Sequence, residues 1–226
     1  MANSFSKKAL HSCPRLDRGI YFVHIIKHCS LVQNAITTCR KPLPCRKELT
    51  LADYMIWLDL EMSGLDPKRH VILEIASMVT DWDLKIVAEG PDIVIFHPKD
   101  ELASMEKWSR QHHNASGLLE KVWSSPVSCE EAERQTIEFL SNYAEPGKSP
   151  LCGNSVWQDR RFLVRHMPEL EAFFHYRNID VSTIKELAKR WYPSLPAYKK
   201  QKAHLALLDI KESIRELRYY REKVFC

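Results

Sequence analysis

Two acidic residues interrupt a short apolar segment of the chain. Asp59 and Glu61 lie within Met55-Ile56-Trp57-Leu58-Asp59-Leu60-Glu61-Met62, whose large apolar residues predict a central β-strand. Because residues two apart on a strand point to the same face, both carboxylates must project to one side of the sheet. Like charges held together are costly unless a cation neutralises them, so the pattern favours a divalent metal ion as their partner. An edge strand with both acids facing water would give the same pattern.

A third acid lies where a predicted strand gives way to a helix. Asp159 follows Gly153-Asn154-Ser155, and ligands commonly gather beyond the carboxyl ends of sheet strands. Its alternative role is that of an ordinary first-turn aspartate, stabilised by the helix dipole.

His204 and Asp209 lie at the start of the last predicted helix. A five-residue offset turns an ideal helix by about 140°, so the two side chains cannot share a face if both are helical. We therefore expect His204 on the preceding loop, able to reach a water or a phosphate, and Asp209 pointing inward. A solvent-facing histidine beside a helical aspartate is the alternative. Four acids would together supply the oxygen-rich set that two Mg²⁺ or Mn²⁺ ions about 4 Å apart require: Asp59, Glu61, Asp159 and Asp209.

The elements that must position these residues alternate between strands and helices. The turn-like Asp81-Trp82-Asp83 joins two β-branched segments and predicts a hairpin, and Ser128-Cys129-Glu130-Glu131 predicts a helix start. Strands that come first and later alternate with helices indicate an α/β domain with a mixed sheet. The predicted strands are Met55–Met62, Val71–Val79, Ile86–Phe96, Pro150–Asn154 and Arg177–Asp180, and the predicted helical segments are about Glu131–Tyr143, Arg161–His166, Thr183–Trp191 and Ala206–Lys223.

The charge of the chain is unevenly distributed. Residues 1–50 carry nine Lys/Arg against two acids, a net charge of +7, so the remaining residues sum to −3. A mildly acidic main domain disfavours a binder of long duplexes and favours short substrates or metal-mediated contacts. We divide the chain into a basic extension, 1–50, and a domain, 51–226. The extension is a targeting segment, a disordered tail or the product of a wrongly assigned start.

The seven cysteines show neither the paired spacing of a zinc site nor a disulfide framework. A reducing compartment is the simplest interpretation, so we expect a cytoplasmic protein, or a mitochondrial one if residues 1–50 are a transit segment. No apolar run approaches the roughly 20 residues that a membrane span requires, so we expect no membrane partner.

The order Asp-x-Glu, then Asp, then His-x4-Asp resembles the DEDD exonucleases of the histidine subtype. Longer strings, over about residues 54–222, resemble the oligoribonuclease family: Ile56 to Asp66, Gly153-Asn154-Ser155 with Gln158 to Phe162, and Phe174 to Arg177 with Asp180 to Thr183. The resemblance implies a ribonuclease H-like mixed five-stranded sheet flanked by helices on both faces. It also implies a 3′→5′ exoribonuclease that degrades very short single-stranded RNA, especially dinucleotides, to nucleoside 5′-monophosphates by a two-metal-ion mechanism.

The same resemblance assigns roles to individual residues. Asp59, Glu61, Asp159 and Asp209 would be the metal ligands, and His204 the general base. Leu65 would wedge between two bases, Trp108 would stack on one, and His113 would lie near the active site, although core packing is the alternative for Trp108. Ser155, Arg177 and Ser182 would cap the 5′ phosphate, with Tyr176 reaching across from a second subunit, which implies a homodimer. The alternative for Arg177 is a strand-end ion pair, and for Ser182 a helix N-cap.

Two positions depart from the family pattern: Leu208 stands where relatives carry an aspartate, and Trp157 where a smaller residue is expected. We expect Leu208 to change the support of Asp209 modestly. Two other functions are compatible with the sequence: another DEDD-type exonuclease acting on longer single-stranded DNA or RNA ends, and a catalytically silent RNA-binding module. The lengths of RNA that the protein degrades would separate them.

Overall fold

In the computed structural model, which describes residues 54–200 and 205–225, five strands form one mixed sheet in the order β3-β2-β1-β4-β5. β1 pairs antiparallel with β2 and parallel with β4; β2 and β3 are antiparallel, whereas β4 and β5 are parallel. The sheet therefore has the predicted mixed topology, with the acidic strand β1 at its centre. The strands are β1 (Met55–Met62), β2 (Ile72–Thr80), β3 (Ile86–Val94), β4 (Pro150–Gly153) and β5 (His175–Asp180).

Helices cover both faces of the sheet, as the fold class requires. The helices are α1 (Lys107–Ala115), α2 (Leu118–Ser124), α3 (Cys129–Leu140), α4 (Val156–His166), α5 (Pro168–Phe173), α6 (Val181–Trp191) and α7 (Ala206–Val224), and Glu101–Ser104 forms a 3-10 turn. Alternate residues of β1 take opposite sides. Ile56, Leu58 and Leu60 belong to the core formed with α3, α4 and α5, whereas Trp57 packs in the core formed with α6 and α7.

Trp57 shows how the sequence fixes this arrangement. It is fully buried, and its indole Nε1 donates to Thr80 Oγ1 at 3.0 Å, so its polar atom is satisfied inside the core. Burial of a large apolar side chain contributes roughly 1.5–3 kcal/mol. Asp59 and Glu61 follow Trp57 at two-residue steps, and they therefore face the same side of the sheet as α7.

The predicted hairpin between β2 and β3 is present. Asp81 Oδ1 accepts from the backbone N–H groups of Asp83 and Lys85, both at 2.9 Å. Leu84 takes a positive φ of 64° in this turn, a conformation that strains most non-glycine residues. The buried Leu84 side chain packs in the core with α7, which offsets that strain.

Several predicted boundaries were wrong by a few residues. β3 ends at Val94 instead of Phe96, since the Phe96 N–H donates to Val127 O outside the sheet. α3 starts at Cys129, where the Ser128 side chain accepts from Glu131 N as predicted, but it ends at Leu140. α4 begins at Val156, which places Asp159 in its first turn as predicted.

Three short helices were not predicted: α1, α2 and α5. Gly117, at φ 74°, separates α1 from α2, and each segment is too short to show a sustained period. In the described ranges no helix is long and apolar enough to cross a membrane. Cys129 and Cys152 are free thiols. The predicted extension 1–50, the other five cysteines and His204 lie outside the described residues.

Candidate active site

Three carboxylates from two elements converge at the centre of the sheet. Asp59 and Glu61 project from β1, and Asp209 lies in the first turn of α7. One oxygen from each lies within 4.8 Å of the others. This grouping arises because α7 packs on the face of β1 that carries both acids. Such a set of carboxylate oxygens suits a hard divalent cation.

Asp159 joins this group from the opposite side of β1. It lies in the first turn of α4 and is only 5% exposed. Its Oδ1 accepts from Leu60 N at 3.2 Å, so the carboxylate lies beside the backbone between Asp59 and Glu61. The structure thus brings together all four acids that the sequence nominated, with Asp159 at the margin of the three-carboxylate group.

The electrostatics of the site fit a cation. Burial raises the pKa of Asp59 well above its usual range, and the charges of Asp159 and Glu61 add to the effect. Burial, followed by the charge of Asp209, raises the pKa of Glu61 to about 8, and burial raises the pKa of Asp159 to about 7. Near neutral pH these carboxyl groups retain protons more readily than ordinary carboxyl groups, unless a nearby cation neutralises their negative charge. A divalent cation among them would supply that charge.

A further buried acid, Glu74, supports the site. The sequence did not predict a role for it. It faces Glu61 in the β1–β2 register, is only 2% exposed, and its Oε2 accepts from Ala206 N at 3.1 Å. Ala206 is the first residue of α7, and the preceding Leu205 has no polar side chain to cap it. Glu74 therefore caps the helix that carries Asp209. Its position within the otherwise apolar segment Val71–Val79 was the sequence signal that could have indicated a role.

His113 belongs to α1, a helix that was not predicted, and lies next to Glu61. The imidazole is buried, its Nε2 lies 3.0 Å from Met62 O, and its Nδ1 lies 3.9 Å from Glu61 Oε2. Both contacts fix the ring against the end of β1. His113 is thus held close to Glu61 through the Met62 backbone.

A groove of about 410 Å³ opens beside Glu61 and His113, within the size range of small-ligand sites. Leu65 and Trp108 line it and are 62% and 58% exposed, respectively. The exposure of Trp108 excludes core packing, the alternative considered above. Its ring stacks on His112 at 3.8 Å between centroids, which leaves an apolar surface toward the groove.

Two side chains hold the backbone of the Leu65 loop. Gln158 Nε2 donates to Leu65 O at 2.7 Å, and Glu106 Oε1 accepts from Leu65 N at 3.2 Å. Gln158 immediately precedes Asp159 on α4, so one helix turn contacts both the groove and the acidic group. Sequence reasoning assigned no role to Gln158 or Glu106.

Ser155 and Ser182 meet at the start of α4, next to its first turn. Their hydroxyl oxygens lie 3.4 Å apart, and Asp180 Oδ1 accepts from the backbone N–H groups of both residues at 2.9 Å. Asp180 is the N-cap of α6, so the suggestion that Ser182 caps the helix was wrong. Ser155 adopts a left-handed φ of 57°, which its bond to Asp180 stabilises.

Tyr176 and Arg177 are exposed on β5, one of the two edge strands of the sheet. Tyr176 is 74% exposed, and the Arg177 guanidinium lies 5.4 Å from the centre of its ring. An aromatic side chain this exposed at a sheet edge is available to a partner molecule.

The two departures from the family pattern lie at the surface. Leu208 is 42% exposed and Trp157 is 58% exposed. Trp157 contacts the Arg161 guanidinium at 5.6 Å. Because Leu208 faces outward while its neighbour Asp209 faces the acids, the aspartate-to-leucine difference leaves the carboxylate group intact.

Sequence comparison finds close relatives over the described domain. The RNase_T family model, described as Exonuclease, matches residues 56–217. The oligoribonuclease of Marinobacter nauticus is 59% identical over 174 residues, which cover 76% of this chain and 97% of that protein. The oligoribonuclease of Vibrio parahaemolyticus is 58% identical over 172 residues, with 76% and 95% covered.

Solved structures share the fold at low sequence identity. An exonuclease I from Methylocaldum szegediense gives a TM-score of 0.58 at 17% identity, covering 76% of this chain and 41% of that one. The zinc-bound form of an E. coli ExoI–ssDNA complex gives 0.60 at 12% identity, covering 76% and 41%. At such identities the likeness establishes the ribonuclease H-like exonuclease fold alone.

Proposed function

We propose that this chain, which belongs to the oligoribonucleases of the RNase_T exonuclease family, removes nucleotides from the 3′ end of very short single-stranded RNA. The products would be nucleoside 5′-monophosphates. The observation that carries the proposal is the convergence of Asp59, Glu61 and Asp209, whose oxygens lie within 4.8 Å of one another, beside a groove with an apolar wall.

Asp59, Glu61, Asp159 and Asp209 would hold two divalent ions, with Mg²⁺ or Mn²⁺ favoured by an all-oxygen donor set. Such ions would acidify a water and stabilise negative charge on the leaving 3′ oxygen. Among the residues of the chain, His204 Nε2 or Nδ1 would take the proton of the attacking water. His113 would keep Glu61 oriented, since its Nδ1 lies 3.9 Å from that carboxylate.

Leu65 and Trp108 would contact the two terminal bases. Both are exposed in the groove, and stacking of a base on an aromatic ring contributes about 1–3 kcal/mol. For a dinucleotide, which offers few other contacts, this contribution would decide the affinity.

Ser155, Ser182 and Arg177 would recognise the 5′ phosphate. The two hydroxyls adjoin one another at 3.4 Å, and Arg177 lies on the neighbouring strand β5. Hydroxyl and guanidinium donors at the far end of a short groove would favour a terminal phosphate over a continuing chain. The preference for dinucleotides would follow from this cap.

Tyr176 would complete the cap of a second subunit. Its 74% exposure in one chain supports a contact made in trans, and we infer a two-fold symmetric homodimer. We further propose that the protein is located in the cytoplasm, because its cysteines do not show the spacing of a disulfide framework. If residues 1–50 are a transit segment, the location would be mitochondrial.

A ladder of 5′-labelled RNAs of two to ten nucleotides tests the function. Wild-type protein and Asp59→Asn would each be incubated with and without Mg²⁺, and the disappearance of each length followed. We expect wild type with Mg²⁺ to consume the shortest RNAs first, and Asp59→Asn to be inactive. A 20-nucleotide single strand would be assayed in parallel, and its degradation at the dinucleotide rate would favour an exonuclease for longer ends. Dinucleotide binding without turnover in Mn²⁺ would favour a silent binding module.

A further inference from the structure

The Leu65 loop, residues 63–71, connects β1 to β2 and presents one exposed apolar side chain to the groove. Leu65 is 62% exposed and lines the groove wall. The two ends of the loop are joined, because Ser63 N donates to Val71 O and Val71 N donates to Ser63 Oγ, both at 3.0 Å. These joined ends restrict the turn that carries Leu65.

His70 fills the inside of this loop. Its imidazole is buried, whereas the preceding Arg69 is exposed. A β-carbon on Gly64 would lie 2.6 Å from His70 Cε1 and 2.7 Å from both ring nitrogens, so the glycine backbone lies directly against the face of the ring. Any larger residue at position 64 would displace the imidazole. Because Gly64 immediately precedes Leu65, the ring supports the backbone next to the exposed leucine.

The two ring nitrogens of His70 have different hydrogen-bonding roles. Nδ1 accepts from Asp66 N at 3.1 Å, and because a backbone N–H can only donate, this nitrogen carries no hydrogen. Nε2 lies 3.2 Å from Ser104 O, and since a carbonyl can only accept, Nε2 carries the hydrogen. The imidazole thus joins the residue after Leu65 to the 3-10 turn that precedes α1, the helix of Trp108.

The contacts of His70 continue those that hold Leu65 itself. Gln158 Nε2 donates to Leu65 O, and Leu65 N donates to Glu106 Oε1. Since His70 holds both neighbours of Leu65, three consecutive backbone residues are fixed. A loop that is ordered before its ligand arrives loses less conformational entropy on binding. Leu65 can therefore contact a ligand in the groove without a prior rearrangement of the loop.

We propose that His70 is a positioning residue for Leu65. By accepting from Asp66 N and supporting the Gly64 backbone, its imidazole holds the leucine side chain at the groove. This inference rests on the proposed function, in which Leu65 contacts a base. Loss of the acceptor at Nδ1 should weaken substrate binding and spare the chemical step, because the described hydrogen bonds of the imidazole are with the loop and Ser104.

Two substitutions of His70 separate its acceptor from its donor. His70→Asn can place an amide oxygen where Nδ1 lies and so retain an acceptor for Asp66 N. His70→Gln can place an amide nitrogen where Nε2 lies, which retains the donor to Ser104 O but loses the acceptor. We expect KM for a dinucleotide to rise about 3- to 10-fold in His70→Gln and to stay within about twofold of wild type in His70→Asn. Both variants should keep the wild-type kcat and Mn²⁺ affinity.

Equal KM values in the two variants, or a loss of Mn²⁺ affinity in His70→Gln, would overturn the proposal. If His70→Gln does not fold, Gly64→Ala takes its place, since the added methyl group would displace the ring. This variant should also raise KM and leave Mn²⁺ affinity unchanged.

Hydrogen exchange of the metal-free protein, followed by NMR, tests the loop without any catalysis. We expect the Asp66 amide to exchange about 3- to 10-fold faster in His70→Gln than in wild type or His70→Asn. Unchanged exchange in His70→Gln would show that the imidazole does not hold the loop. If wild type does not turn over dinucleotides, the proposed function fails, whereas the exchange result still decides whether His70 holds the loop.

A double-mutant cycle then asks whether His70 acts through Leu65. The KM values of Leu65→Ala, His70→Gln and the double variant would be compared with that of wild type. We expect His70→Gln to raise KM in the wild-type background and to have no further effect in the Leu65→Ala background. Additive losses would overturn the positioning role. A wild-type KM for Leu65→Ala would contradict the proposed base contact, and the inference with it.

Discussion

The acidic group of Asp59, Glu61, Asp159 and Asp209 makes the stability of the metal-free protein depend on pH. Burial and the charge of Asp209 raise the pKa of Glu61 to about 8, so its protonated form is the one that the fold accommodates without a cation. For an acid whose pKa is higher in the folded state, the favourable contribution is present below the unfolded value of about 4.3. That contribution is lost as pH rises through the folded value.

Glu61→Gln should therefore stabilise the metal-free protein at pH 8 but not at pH 4.5. We expect its Tm in EDTA at pH 8 to exceed that of wild type by roughly 3–6 °C, equivalent to about 1–2 kcal/mol for a domain of this size. Thermal melts at both pH values would measure the difference. A variant that is less stable than wild type at pH 8 would show that burial does not disfavour the charged form of Glu61.

The proposed role of Trp108 is contact with a base and not chemistry, because its ring is exposed in the groove. Trp108→Ala should raise KM for a dinucleotide about 5- to 150-fold, the equivalent of about 1–3 kcal/mol of stacking. Its kcat should change far less. Steady-state kinetics would be compared with Trp82→Ala, which removes an exposed tryptophan from the β2–β3 turn. An equal rise in KM for both variants would refute the stacking role.

At the scale of elements, α4 links the groove to the acids. Gln158 holds the Leu65 backbone, and the next residue, Asp159, contacts β1. Gln158→Ala should release the Leu65 loop and raise KM several-fold, while Mn²⁺ affinity stays unchanged. Parallel kinetics and calorimetry would show this. A lower Mn²⁺ affinity with an unchanged KM would assign Gln158 to the acidic group instead.

Some helices and strands could be predicted from the sequence and others could not. The strand β1 and the face of its two acids followed from two-residue alternation, and the start of α3 from the Ser128 cap. The helix α1, which carries Trp108 and His113, did not follow, because its mostly polar residues gave no clear apolar stripe. Glu74 was missed for a different reason: its partner Ala206 lies 132 residues away in the chain. Local patterns carry no information on such contacts.

At the scale of the whole molecule, the proposed cap requires two chains. In a mixed dimer of Asp59→Asn with Tyr176→Ala, one site would combine an intact acidic group with the partner subunit's intact tyrosine. We expect each variant alone to be weak or inactive on dinucleotides, and the mixture to regain part of the wild-type rate. Light scattering should give twice the chain mass of 26.4 kDa. A mixture no more active than its components would place Tyr176 in the cap of its own chain.

The proposed activity requires Asp59, Glu61, Asp159 and Asp209 to form one divalent-cation site. Calorimetric titration of Mn²⁺ into metal-free wild type, Asp59→Asn and Asp209→Asn at pH 7.5 tests it most directly. Each wild-type chain should bind two ions, and both variants should lose this binding or bind far more weakly. Equal Mn²⁺ binding by all three proteins would contradict it.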